Sequence, residues 1–173
     1  MKKLLKNIMS DEFYLKGFFF IFLVLSIIFS GNLQAAESFT FKGQVVSVLD
    51  GDTIKVMEKG KAVKIRLYGI DCPEKKQAFG QKAKDLTSSL VFGRTVTITV
   101  TGIDRYGRFI GKVKTITNHD VGEALLKAGL AWWYQKYAPH DIRYQELEKQ
   151  ARDIKVGLWA DSNPVAPWKY RRK

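Results

Sequence analysis

A single cysteine, Cys72, stands in a chain of 173 residues. No disulfide can therefore form within the chain, and stability has to come from an apolar core, which this length can build. The two histidines, His119 and His140, are too few beside one cysteine for a structural zinc site. Both lie in polar stretches, so a Cys–His nucleophile pair is disfavoured and Cys72 reads as a small, partly buried residue. The N-terminal apolar run, Gly17–Phe29 (GFFFIFLVLSIIF), is shorter than the roughly 20 residues that cross a bilayer. Internal repeats and long linkers are absent. Acidic residues are also in deficit, with 17 Asp and Glu against 29 Lys and Arg, a net charge of +12. That excess attracts polyanions, whether nucleic acid, acidic glycan or anionic lipid, and charge alone does not choose among them.

What is present begins with a targeting pattern. Lys2, Lys3 and Lys6 precede the apolar run, and Ser30-Gly31 and Ala35-Ala36 follow it. Basic, apolar and small-residue regions in that order form a secretory signal, with cleavage expected near Ala35. The alternative is an uncleaved anchor, favoured by the long opening segment with Asp11 and Glu12. The chain accordingly divides into a signal over residues 1–35, a domain over 36–160, and a basic, loosely attached tail over 161–173 (DSNPVAPWKYRRK). Residues 1–35 hold four lysines and two acidic residues, so the remainder keeps a charge of +10.

The central part reads as strands followed by helices. Phe39–Leu49, Thr53–Val56 and Val63–Tyr68 are β-branched or alternating stretches separated by Asp50-Gly51-Asp52 and by Glu58–Lys61, a three-strand meander. Phe79, Ala83, Leu86 and Leu90 recur at helical spacing. Arg94–Thr101 and Phe109–Lys114 supply two more strands around the polar turn Asp104–Arg108. Asp120 and Glu123 make a capping box for a helix that Gly129 ends. Leu147, Ala151, Ile154 and Leu158 line a last helix, closed by Gly157. The class is α+β: a five-stranded OB-fold-type β-barrel with three helices.

Three short stretches carry charge suited to phosphodiester chemistry. Such a reaction calls for a hard cation on oxygen ligands, guanidinium groups on the phosphate oxygens, and a carboxylate to handle water. Asp50-Gly51-Asp52-Thr53 is, alone, a common turn. Arg66-Leu67-Tyr68-Gly69-Ile70-Asp71-Cys72-Pro73-Glu74 sets an arginine and two carboxylates at a strand end, where Pro73 stops the strand. Asp104-Arg105-Tyr106-Gly107-Arg108 is a turn with a guanidinium at its exit. Trp132-Trp133-Tyr134 reads as core-packing aromatics, with base stacking as the lesser alternative.

In this order, DGDT, R-L-x-G-I-D-x-P-E and D-R-Y-G-R resemble the staphylococcal (thermonuclease) nuclease family, as does Gly122–Ala131. The likeness extends from about Phe39 to Trp159. It implies that Asp52 and Asp71 hold Ca²⁺ together with the backbone carbonyl of Cys72. It further implies that Arg66 and Arg108 grip the scissile phosphate, that Glu74 activates or orients water, and that Tyr106 and Tyr137 lie near the nucleotide. The family cuts DNA and RNA and leaves 3′-phosphate ends. The expectation is thus an exported, calcium-dependent endonuclease, monomeric, with no obligate protein partner, and membrane-bound only if the leader is retained.

Three departures from the family's best-known member stand out. Cys72 replaces a threonine, which a backbone ligand survives. The segment between Glu74 and Phe79 is shorter. Gln135 stands where a second nucleotide-side tyrosine is expected. Two other classes remain in view, a non-catalytic nucleic-acid-binding OB module and a basic protein that binds surface polyanions. The second leaves Asp52, Asp71 and Glu74 without a reason.

Overall fold

The computed structural model describes residues 38–172. The expected signal, cleavage site and alternative anchor all lie outside these residues. Among the described residues, no helix is long and apolar enough to cross a membrane.

Five strands close into a barrel in the order β1-β2-β3-β6-β5. They are β1 (Phe39–Asp50), β2 (Thr53–Glu58), β3 (Lys61–Leu67), β5 (Thr95–Ile103) and β6 (Phe109–Lys114). The long β1 serves two neighbours. Its first half pairs with β5 (Phe39 opposite Val100) and its second half with β2 (Val48 opposite Ile54). Alternation along these strands turns Val45, Ile54, Val56, Ile65, Val96, Ile98 and Val113 into one buried core. Closure comes from β3 and β6, which run parallel with Ile65 opposite Phe109 and Arg66 opposite Ile110. A closed barrel of this kind leaves no sheet edge open.

Three helices follow the sequence expectation in place and order: α1 (Gly80–Val91), α2 (Val121–Lys127) and α3 (Ile142–Asp153). Asp120 caps α2 by accepting from the Glu123 amide at 3.1 Å. Two short strands outside the barrel, β4 (Ile70–Asp71) and β7 (Trp132–Trp133), pair antiparallel.

The last helix ends earlier than its apolar spacing suggests. Ile154 is 73% exposed, and Leu158 belongs to a separate 3₁₀ turn, Gly157–Ala160. Lys155 (φ 52°) and Gly157 (φ 59°) take left-handed conformations and turn the chain. A side chain at Gly157 would run into the Gly129 and Ala128 carbonyls, and the Leu158 amide donates to Gly129 at 2.8 Å.

The segment after Ala160 also differs from expectation. It is not loosely attached. A fourth helix, α4 (Pro167–Tyr170), packs back on the domain with Ala166 and Pro167 buried. Trp168 stacks on Tyr134, with ring centroids 5.0 Å apart and planes within 6°, and meets Trp132 edge-on at 5.5 Å. An aromatic contact of this kind contributes about 0.5–1.5 kcal/mol beyond area burial. The basic composition of residues 161–173 obscures this one apolar anchor.

Candidate active site

The turn between β1 and β2 carries Asp52, and close packing fixes it. Gly51 lies so near Cys72 and Ala83 that an added Cβ would fall 2.8–2.9 Å from their side chains. Thr87 of α1 donates its hydroxyl to the Gly51 carbonyl at 2.5 Å. Leu67 of β3 donates its amide to the Asp52 carbonyl at 2.8 Å. Asp52 is therefore held from β3, from α1 and from the Cys72 backbone, whose amide donates to Asp52 Oδ2 at 2.6 Å.

Arg66 lies on β3, opposite Thr53. Its guanidinium reaches both buried carboxylates. Nη1 pairs with Asp52 Oδ1, and Nη2 donates to Asp71 Oδ1 at 2.6 Å and to the Ile70 carbonyl at 3.3 Å. Asp52 and Asp71 are only 4% and 0% exposed. Carboxylates this deep need charged partners, and Arg66 supplies them. The β4–β7 pairing places Asp71 opposite Trp132 and so fixes its position beside the barrel.

Arg108 stands immediately before β6. Because β3 and β6 run parallel, it emerges at the same rim as Arg66. Its turn is tightly organised around Asp104, whose Oδ1 accepts the Tyr106 and Arg108 amides at 2.8 and 3.0 Å while Oδ2 accepts from Arg108 Nε at 2.6 Å. Burial pushes the Asp104 carboxyl up, but the hydrogen bonds from Arg108 and Tyr106 outweigh it and leave the pKa below its ordinary value. By its sequence Asp104 is only a turn residue; in the fold it orients a guanidinium.

All eight expected residues line one open cavity of about 580 Å³: Asp52, Arg66, Asp71, Cys72, Glu74, Tyr106, Arg108 and Tyr137. Tyr106 and Tyr137 line it and are 69% and 60% exposed. Cys72 is only 3% exposed. Its thiol is buried, and burial drives the pKa far above the usual thiol value, opposed by Arg66.

Of the other residues lining the cavity, three stand out. Asp50 sits beside the site with its pKa raised, first by burial and also by the charge of Glu74, against the Gly51 amide and Arg66. Tyr134, read as core packing, lines the cavity instead, whereas Gln135 is exposed. Its stacking on Trp168 depends on a residue 34 positions away, which no local pattern reveals.

The third is Arg171. Its Nη2 donates to Asp71 Oδ2 at 2.8 Å, and its Nη1 donates to Glu74 Oε1 at 2.6 Å and to Asp71 Oδ1 at 3.3 Å. The hydrogen bonds to Asp71 hold the Arg171 pKa above its ordinary value, with those to Glu74 adding to the effect.

Among the described residues, no group of three or more His, Cys, Asp or Glu forms a ready metal cage. The donor set nevertheless fits a hard cation. Asp50, Asp52, Asp71 and Glu74 bring only oxygen to the cavity, and the open side leaves room for water.

A family model described as staphylococcal nuclease homologue matches residues 64–161. The chain belongs to that family. An Escherichia coli O157:H7 protein described as an uncharacterized endonuclease is 46% identical over 154 residues, covering 89% of this chain and 97% of the relative. A micrococcal nuclease of Shigella flexneri is 40% identical over 141 residues, covering 76% and 81%. A staphylococcal-like nuclease of Arabidopsis thaliana is 41% identical over 112 residues, or 65% of this chain and 34% of the plant protein. Within this nuclease-family chain, the matched region takes in Arg66, Asp71, Glu74 and Arg108 but stops short of Trp168 and Arg171.

Proposed function

We propose that this protein is an endonuclease that hydrolyses phosphodiester bonds of DNA and RNA with calcium, leaving 3′-phosphate ends. The observation that carries the reading is the convergence of four guanidinium groups, Arg66 and Arg108 among them, and five carboxylates on one open cavity rimmed by exposed tyrosines. Family membership supplies the reaction class, and the net charge of +12 suits a polyanionic substrate.

In this reading Arg66 and Arg108 bind the non-bridging oxygens of the scissile phosphate, each as a planar fork that stays charged. Their interaction strengthens as charge builds on those oxygens in the transition state. Glu74 takes a proton from the attacking water as its oxygen bonds to phosphorus. The bond from phosphorus to the 5′-oxygen then breaks, and that oxygen acquires a proton. Asp52, Asp71 and the Cys72 carbonyl would hold a calcium ion, which would supply Lewis-acid stabilisation of the phosphate. Tyr106 and Tyr137 border the nucleotide.

The test is incubation of plasmid and of single-stranded RNA with Ca²⁺, with Mg²⁺ and with excess chelator. Cutting with Ca²⁺ and little or none with Mg²⁺ is expected, because Mg²⁺ demands stricter octahedral geometry and holds its waters. The fragments should bear phosphatase-sensitive 3′ ends, and Asp52→Ala and Asp71→Ala should each abolish the activity. Full activity in chelator would overturn the metal assignment. Export with removal of residues 1–35 is part of the same proposal. Its test is sequencing the N-terminus of protein recovered from outside the cytoplasm, and a chain still beginning at Met1 in the membrane fraction would favour the anchor.

A further inference from the structure

Arg171 ends the strap that folds back after Ala160, and four separate contacts seat that strap. Gln77 Nε2 donates to the Val165 carbonyl at 2.5 Å, and Ala166 and Pro167 are buried. Trp168 stacks on Tyr134, and the Tyr170 hydroxyl reaches the Lys76 carbonyl at 3.4 Å. Gln77 also accepts the Glu74 amide at 3.2 Å, so the strap and the loop bearing Glu74 share a side chain.

The guanidinium this strap delivers bonds both oxygens of Asp71 and one of Glu74. Asp71 is fully buried and its other partner, Arg66, reaches only Oδ1. A buried carboxylate without a counter-charge is costly, and Arg171 removes that cost at Oδ2. It does so with oxygen atoms that a hard cation would also need. The Arg171 side chain is 42% exposed, so leaving the site returns its guanidinium to water with little penalty.

We propose that Arg171 is a built-in stand-in for the cation: a positioning residue that holds Asp71 and Glu74 in place and yields them when the ion binds. This rests on reading Asp71 as a cation ligand. Guanidinium and ion are alternative occupants of the same oxygens, so the strap sets the calcium concentration at which the site loads. Trp168 and Arg171 lie beyond the family-matched residues 64–161.

Calorimetric titration of the nuclease with calcium chloride, without substrate, tests the inference. Arg171→Ala should bind calcium about 3- to 30-fold more tightly than the unaltered protein, the range expected for removing a half-exposed charged competitor. Trp168→Ala, which unseats the strap but keeps the charge, should shift affinity in the same direction by a smaller factor. Arg172→Ala removes an equal charge from the neighbouring position without that contact and should change affinity less than twofold. A purely structural role for Arg171 predicts the opposite sign, since a loosened site binds calcium more weakly.

Unchanged or weaker binding by Arg171→Ala overturns the proposal. So does an equal gain in Arg172→Ala, which would assign the effect to net charge. Absence of calcium binding in the unaltered protein overturns both this proposal and the calcium reading above. Normal binding there with no gain in Arg171→Ala overturns this proposal alone.

Discussion

Thr87 on α1 donates its hydroxyl to the carbonyl of Gly51, tying the helix to the turn that presents Asp52. Thr87 is fully buried, with its hydroxyl oxygen also 3.1 Å from the Ala83 carbonyl. Thr87→Val preserves shape and leaves the Gly51 carbonyl without this donor. Stability should fall by about 1–3 kcal/mol, measured by urea unfolding. Cleavage should fall as well, because Asp52 loses its anchor. Unaltered stability together with full cleavage would show that the helix does not hold the turn.

Asp104 gives a pH dependence with a definite sign. Its pKa lies below the ordinary value in the folded protein because the Arg108 and Tyr106 hydrogen bonds outweigh burial. Its contribution to stability is therefore complete above the unfolded value of about 3.9 and is lost as pH falls through the lower folded value. Asp104→Ala should lower the melting temperature at neutral pH, and the deficit should shrink in acid below about pH 4. Turnover should fall too, since Arg108 loses the group that aims it. Arg66→Lys and Arg108→Lys should each lose well over about tenfold in turnover, because Lys lacks the bidentate fork.

Glu74→Gln separates catalysis from binding. The substitution keeps size and a hydrogen-bonding oxygen but removes the base and its charge. General-base assistance contributes about 10²–10⁴ in rate, so single-turnover cleavage should drop by that order. Calcium affinity and binding of uncut DNA should change far less. A parallel collapse of calcium affinity would make Glu74 a ligand, and no change in rate would assign the water to another group.

Cys72 should be inert. Burial raises its pKa far above the usual thiol value, and its side chain packs against Gly51. In the native protein a thiol reagent should label it slowly at pH 8 and rapidly after unfolding in urea. Fast labelling of the native state would mean that the Asp50–Asp52 turn opens readily.

Much of the barrel was legible because its signals are local. The alternation in Thr53–Val56 and Phe109–Lys114 and the helical spacing through Ala83 and Leu90 each define an element with few neighbours involved. Five charged residues were singled out for another reason: chemical need and motif order select Asp52, Arg66, Asp71, Glu74 and Arg108 together, and the fold brings them to one cavity. What escaped depends on distance along the chain. Ile154 has the right spacing for the core face, but Lys155 and Gly157 turn the backbone before that face continues. Tyr134 and Trp168 are both aromatic, yet only folding sets them parallel. Arg171 lies among exposed basic residues and is distinguished from Arg172 only by the carboxylates it meets.

The parallel pairing of β3 with β6 also has a consequence in time. Parallel neighbours cannot be joined by a tight hairpin, and here α1 and the whole of β5 intervene between Leu67 and Phe109. Contacts so distant along the chain form late, after loop closure has been overcome. Arg66 and Arg108 reach a common rim only when that closure is complete, and Asp71 meets Arg171 only when 100 further residues have emerged. A nascent or partly folded chain thus holds the site's residues as separate, chemically ordinary side chains. Cutting power arrives with the finished barrel, so a chain kept unfolded is kept harmless to nucleic acid around it.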